Sequence, residues 1–420
     1  MMKKFFAFAL ALCLASACFA EEVVKIGVYE PASGDSGAGG KQEMLGMQYA
    51  NKITPYVEIG GVKYKVELVY ADNGSSTDKA PSAAQQLVSS KVSIVLGSYG
   101  SGVSIAGSQY FADAGIPAVG VTCTNPQVTA GNKHYFRVCF LDPFQGTVLA
   151  NYAYKVLGAR TAYCLAELGN DYDVGLAHYF QEAFEKLGGK VISDTFPTGN
   201  SDFTSYLTNA AMYGADVFFC PVSLAYSTQI IAQAAGQGAK FPVLGGDTLD
   251  SNKVVEAAKG TDVKVVVSTF YQEGGAKEFD EGFKAWLNED KEAFTNNGGN
   301  DMISAVSAMG FDAYYVALMA LKAAGSTDPR KVNEALWNVK YNGVSGAIAF
   351  DETGDAARDS AYIKSVNNEK GEWEFVAVQK VGEVLGEPGG AVVLERLDQE
   401  VGRRGVVDRA AGSLVRRRVR

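Results

Sequence analysis

The sequence predicts an α/β protein built from two doubly wound parallel-sheet lobes. Three observations carry this. Short runs that are apolar on both faces (VVKIGVYE, ADVFFCPV, FPVLGG, VKVVVSTF) alternate with helical stretches, the pattern of strands buried between helix layers. The alternation runs through twice, and Arg137–Phe144 (RVCFLDPF, with Pro143) marks a crossing between the two halves. Length supports the same division, because 420 residues with 47% apolar content can fill more than one core.

The chain opens on a secretory leader. Lys3-Lys4 form its basic start, FFAFALALCLA its apolar stretch, and small residues lead to Ala20. That stretch is too short to span a bilayer, so the mature chain is expected to begin near Glu21, in the periplasm or otherwise outside the cytoplasm. LASAC loosely matches a lipoprotein box and leaves lipid anchoring at Cys18 as the alternative to a soluble form. A net charge of −9 argues against nucleic acid or an anionic membrane as partner.

From Val23 onward the elements follow in order. VVKIGVYE is the first strand, and the loop SGDSGAGG leads into a helix around Lys41–Ile53. KYKVELVYAD is the next strand, followed by an amphipathic helix over Lys79–Ser90. Past the crossing come strand RTAYCLAEL, helix Val174–Leu187, strand KVISDTFP and helix Phe203–Tyr213. ADVFFCPV, helix Tyr226–Gly236, FPVLGG, a short helix and VKVVVSTF complete the second run. Beyond Phe270 lie helices Gly275–Lys291, Ile303–Ala324 and Pro329–Val339. Hairpin-like strands follow around Ala347–Phe350 and Ala361–Val381. Ile303–Ala324 is apolar all round and is expected to be buried. From Gly382 every basic residue is arginine, a break in composition that predicts a disordered, atypical tail over 382–420.

The stretch Ile94–Asn125 holds the strongest hint of a site. Strand IVLG ends in the turn Ser98-Tyr99-Gly100-Ser101-Gly102, which opens a helix. The next strand ends in Thr122-Cys123-Thr124. Ligands bind outside the carboxyl ends of such strands, and a helix N-terminus there favours an anion. The pattern fits a pocket for a small carboxylate. The competing reading makes Ser101 a simple helix cap.

Other chemistry is missing from the pattern. SGDSGAGG lacks the Gly-Lys-Ser/Thr end of a phosphate loop, no GxSxG elbow is present, and no paired carboxylates stand at strand ends. After the leader four cysteines remain without CxxC spacing, and their pairing stays open. Cys164 and Cys220 sit in apolar strands and read as core residues. With only His134 and His178, a metal site or a histidine-dependent triad is not expected. In the second half, Asp171 and Tyr172, then Ser223, then Asp247 after Gly245-Gly246, all fall at strand ends on the edge that should face the first lobe.

These motifs in their order, from VVKIGVYEPASG through YADNGSST, VLGSYGSGVSIA…GIPAVGVTCTNP and FRVCFLDPFQG to NDYDVG, resemble type I periplasmic binding proteins. The group they are most similar to is the leucine/isoleucine/valine-binding and related substrate-binding proteins of ABC importers. The resemblance spans Val23 to Val381. It implies two lobes joined by three strands, with crossings near Leu141, Phe270 and Ser345. The N-terminal lobe would then be 21–141 and 271–345, and the C-terminal lobe 142–270 and 346–381, after a signal peptide over 1–20. It also implies that Ser101 and Thr124 bind a ligand α-carboxylate. The Thr122 carbonyl and Asp247 would receive the ammonium, and Tyr172 would close over the ligand. The ligand-facing set is Tyr99, Gly100, Ser101, Thr122, Cys123, Thr124, Tyr172, Ser223 and Asp247. Three departures stand out: Asp247 replaces glutamate, Gly39 takes the place of a pocket aromatic, and Ser223 that of a tyrosine. Tyr99 also stands where a small or aliphatic residue is usual.

The expected function is therefore capture of a free amino acid, branched-chain or related, between two closing lobes. The protein would be a monomer serving a membrane ABC permease, with no catalysis, cofactor or metal. A ligand-sensing domain of the same fold and, further off, a secreted α/β enzyme are the alternatives.

Overall fold

A computed structural model describes residues 21–380. The leader, the Cys18 anchoring alternative and the arginine-rich tail lie outside the described residues.

The first lobe is built on a six-stranded sheet. Strand β1 (Val23–Glu30) is followed by helix α1 (Gly37–Ile53), β2 (Tyr56–Ile59), β3 (Val62–Asp72), α2 (Ala80–Ser89) and β4 (Ile94–Leu96). Helix α3 (Ser101–Asp113), β5 (Ala118–Gly120) and β6 (Tyr135–Arg137) complete it. The strand order is β2-β3-β1-β4-β5-β6, parallel except for the β2–β3 hairpin at one edge. The sequence reading found β3, as KYKVELVYAD, and missed β2. Helix α1 begins inside the glycine loop, four residues before the expected Lys41.

The second lobe follows helix α4 (Asp142–Asn151), which sequence reasoning missed. Its elements are β7 (Thr161–Glu167), α5 (Asp171–Lys186), β8 (Lys190–Phe196), α6 (Thr204–Met212) and β9 (Val217–Phe219). Then come α7 (Leu224–Gln237), β10 (Val243–Gly245), α8 (Asn252–Ala258) and β11 (Val265–Thr269). Beyond them the chain forms α9 (Lys277–Glu289), α10 (Lys291–Asn296), α11 (Ala305–Ala324) and α12 (Pro329–Leu336). A small hairpin, β12 (Lys340–Gly343) and β13 (Gly346–Ala349), precedes β14 (Ser360–Asn367) and β15 (Glu372–Lys380). The second sheet has the order β15-β14-β11-β10-β9-β7-β8, with β14 and β15 antiparallel. The expected single helix Gly275–Lys291 is broken at Asp290, whose side chain accepts from the Glu292 and Ala293 amides and so starts a new helix.

Helix α11 returns to the first lobe and lies on α1. Gly46 and Gly310 make this possible: a Cβ on Gly46 would come within 2.7 Å of the Phe311 amide nitrogen. Ser307 Oγ donates to the Gln42 carbonyl at 2.7 Å across the same contact. Further along, Tyr49 stacks on both Trp286 and Phe311.

Three crossings join the lobes. Phe140 and Phe270 pack ring to ring at 4.3 Å where the first two run side by side. The third is a correction to the sequence reading, which set it near Ser345. Asp355 still pairs with Arg137 at the edge of the first sheet, and β14 enters the second sheet only at Ser360. The chain therefore crosses at Ala357–Asp359. Arg358 fastens it there, donating to the Val138 carbonyl at 2.7 Å and the Ser345 carbonyl at 2.8 Å.

Candidate functional site

Strand order fixes where a ligand can sit. In the first sheet the chain steps from β1 outward to β3 and then back past β1 to β4. In the second it steps from β7 to β8 and then back past β7 to β9. Both reversals open a crevice at the strands' carboxyl ends, and the two crevices face each other.

On the first-lobe side, Gly100 is the N-cap of α3 in an extended conformation and Ser101 is the first helical residue. Ser101 is therefore not the cap. Its buried hydroxyl accepts from the Asn125 amide at 3.2 Å, which leaves its own proton to donate. Thr122 donates its hydroxyl to Glu43, while its carbonyl points to no described donor. Thr124 is fully buried. Its hydroxyl lies beside the Asp142 carboxyl without the geometry of a hydrogen bond, and no other described group partners it.

Cys123 corrects the sequence reading. Its side chain faces away from the cleft into the apolar cluster with Tyr29, Phe111 and Tyr135. Alternation along an extended strand end sends Thr122 and Thr124 one way and Cys123 the other. Sequence reasoning also missed what holds this strand end in place. Fully buried Arg137 donates to the Cys123 carbonyl at 2.9 Å, the Asn125 carbonyl at 2.5 Å and Asp355 Oδ1 at 2.7 Å. An arginine beside a strand end, in a stretch from Val23 to Val381 that holds only three others, was the available signal.

On the second-lobe side, Asn170 caps α5, accepting from the Tyr172 and Asp173 amides at 3.1 and 3.3 Å. Tyr172 then points its hydroxyl at Asp247 Oδ1, 3.0 Å away. Gln145, from the unforeseen helix α4, donates to the same oxygen at 2.8 Å and accepts from the Asp247 amide at 2.9 Å and from Ser268 Oγ at 2.7 Å. Asp247 is thus clamped, with Oδ2 left uncommitted. Ser223, at the N-terminus of α7, is buried and its hydroxyl has no partner among the described residues.

The charge balance is unusual. Burial raises the carboxyls of Asp247 to about 6, Asp142 to about 7 and Glu43 to about 8. Burial, then the neighbouring Glu43 charge, raises Glu30 well above the usual range. Two further acids are neutralised, Asp250 by Lys364 at 3.0 Å and Asp355 by Arg137. Among the described residues no group of three His, Cys, Asp or Glu side chains is placed to hold a metal ion. All four cysteines described are free and buried.

A cleft of about 340 Å³ opens between the walls, lined by Tyr99, Gly100, Ser101, Tyr172 and Ser223 among others. Thr122, Thr124 and Asp247 are buried and are not among the residues that line it. The volume suits a small molecule rather than a polymer. Two hydrogen bonds close its lips: Asn125 Nδ2 to the Asp171 carbonyl at 2.8 Å, and Tyr226 to Asp35 at 2.9 Å.

A model of the periplasmic binding protein family matches residues 23–372. A Leu/Ile/Val-binding protein homolog 3 from Brucella melitensis is 31% identical, over 84% of this chain and 94% of the relative. The crystal structure of a leucine binding protein from Thermotoga maritima superposes with a TM-score of 0.76 at 33% identity, covering 86% of this chain and 99% of that one. A branched-chain amino acid transporter substrate binding protein from Streptococcus pneumoniae, in complex with isoleucine, gives 0.73 at 27% identity with the same coverage of both chains.

Proposed function

Because the chain belongs to the periplasmic binding protein family, on its branched-chain amino-acid side, we propose that it captures a free α-amino acid, branched-chain or related, for an ABC importer. The protein catalyses nothing in this reading. It acts outside the cytoplasm as a monomer, its binding energy holds the lobes shut, and the shut form is what the permease meets.

The observation that carries the reading is the opposition of two unlike half-sites. The first lobe offers neutral donors and a helix N-terminus: Ser101, Thr124 and the free amides of α3. The second lobe offers a clamped acid, Asp247. A carboxylate suits the first and an ammonium the second, and a zwitterion spanning the cleft leaves neither charge unpaired. The Thr122 carbonyl would share the ammonium with Asp247. Tyr172 would cover the ligand while orienting that acid. Ser223 would add a donor from the second lobe. Cys123 is left out of this set, since its side chain is in the core.

Mass spectrometry of the natively purified protein, followed by calorimetry with the free amino acids, tests the reading. Recovery of an amino acid that binds one to one supports it. Saturable binding of a sugar or nucleotide, with none of any amino acid, would overturn it.

A further inference from the structure

Two residues that look unrelated in sequence meet in the cleft. The tip of the Tyr99 ring packs against Gly39 of α1. A Cβ at residue 39 would come within 2.6 Å of the phenol oxygen and 2.7 Å of Cε2. The space beside residue 39 is thus filled by a ring from the β4–α3 turn, and that ring brings a hydroxyl with it. Tyr99 is 5% exposed and lines the cleft, and its hydroxyl has no hydrogen-bond partner among the described residues. The acids of Asp247, Glu43, Asp250 and Glu30 surround it closely enough to act on its charge, yet none accepts from it. The Tyr99 backbone is held independently, its amide donating to Glu30 Oε2 at 2.7 Å.

Shutting an aliphatic side chain against this surface would dehydrate the phenol and leave it unpaired, which is unfavourable in a buried site. We infer that the ligand's side chain carries a hydrogen-bonding group, a hydroxyl or a carboxamide, that pairs with the Tyr99 hydroxyl over Gly39. The inference rests on the amino-acid reading above and specifies its side-chain class. Tyr99 is then a specificity-determining residue, and Gly39 is the space that lets it be one.

Near-isosteric ligand pairs isolate the contact: threonine against valine, and asparagine against leucine. Calorimetry on the wild-type protein should show the polar member of at least one pair binding about tenfold or more tightly. Tyr99→Phe removes only the hydroxyl and should erase that preference. Gly39→Ala displaces the ring and should erase it by a second route, with the melting temperature of each variant reporting its folding. Tighter binding of the aliphatic members, or a preference unchanged in Tyr99→Phe, overturns the inference while leaving the amino-acid reading intact. Binding of no free amino acid at all overturns both.

Discussion

The Tyr172 hydroxyl donates to Oδ1 of Asp247 at 3.0 Å, so the aromatic that lines the cleft from the second lobe also orients its acid. Gln145 Nε2 reaches the same oxygen at 2.8 Å. Two neutral donors hold one oxygen, and the other is free for a cation.

Asp247→Asn should therefore fold normally, since its amide oxygen can take the place of Oδ1. Losing one partner of a desolvated charge pair costs about 2–5 kcal/mol, so amino-acid affinity should fall roughly thirtyfold or more. The corresponding keto acid, which lacks the ammonium, should bind wild type and variant alike. Calorimetry with both ligands checks this, and unaltered amino-acid affinity would return Asp247 to a purely structural role.

Ser101→Ala should have two separable effects. A hydroxyl donating to a carboxylate contributes about 1.5–3 kcal/mol, so affinity should drop at least tenfold. The Asn125 amide also loses its acceptor, so the melting temperature of the ligand-free protein should fall modestly. A stability loss without an affinity loss would leave Ser101 as a brace for the Asn125 loop only.

Acidity should act in opposite directions on stability and on binding. Asp247, Asp142 and Glu43 titrate near 6, 7 and 8 in the fold, against about 4 in an unfolded chain. Between about pH 4 and 8 the folded state holds more protons than the unfolded state, so stability falls as pH rises through that window. Thermal melts of the ligand-free protein should give a higher midpoint at pH 5.5 than at pH 8.5, and Glu43→Gln should flatten the trend. Amino-acid affinity should instead weaken below about pH 6, where Asp247 gains its proton. Melting temperatures that rise with pH across this range would contradict the burial argument.

Arg137→Leu should be among the most damaging substitutions outside the cleft. It strands the Asp355 carboxylate and frees the Cys123 and Asn125 carbonyls. Breaking a buried pair from one side costs about 3–5 kcal/mol. Chemical denaturation should show a loss of that order, and substitution without measurable loss would mean that the strand end supports itself.

Closure of the lips should be visible in solution. Tyr226→Phe removes the bond to Asp35, and ligand should leave the variant several-fold faster in stopped-flow chase. X-ray scattering of the wild type should show a smaller radius of gyration with ligand than without. Identical curves would argue against hinge closure.

The sequence by itself determined the α/β class, the two runs of buried strands, and the strand ends where Ser101, Thr124, Tyr172, Ser223 and Asp247 stand. These are local matters. Apolar periodicity, turn glycines and hydroxyls at strand ends are written in consecutive residues, and a parallel sheet puts its strand ends on one edge. The tertiary structure alone decided which of those side chains face each other. Gln145 is one turn into a helix whose sequence, DPFQGTVLAN, has little polar face to mark it, and it reaches Asp247 from 102 residues away. Glu43 meets Thr122 across 79 residues and Arg137 meets Asp355 across 218. Tyr99 lies on Gly39 because a ring and a missing side chain fit together, and Cys123 turns inward because its neighbours turn outward. Such pairings depend on how two sheets and three crossings close in space. No window of adjacent residues encodes that distance.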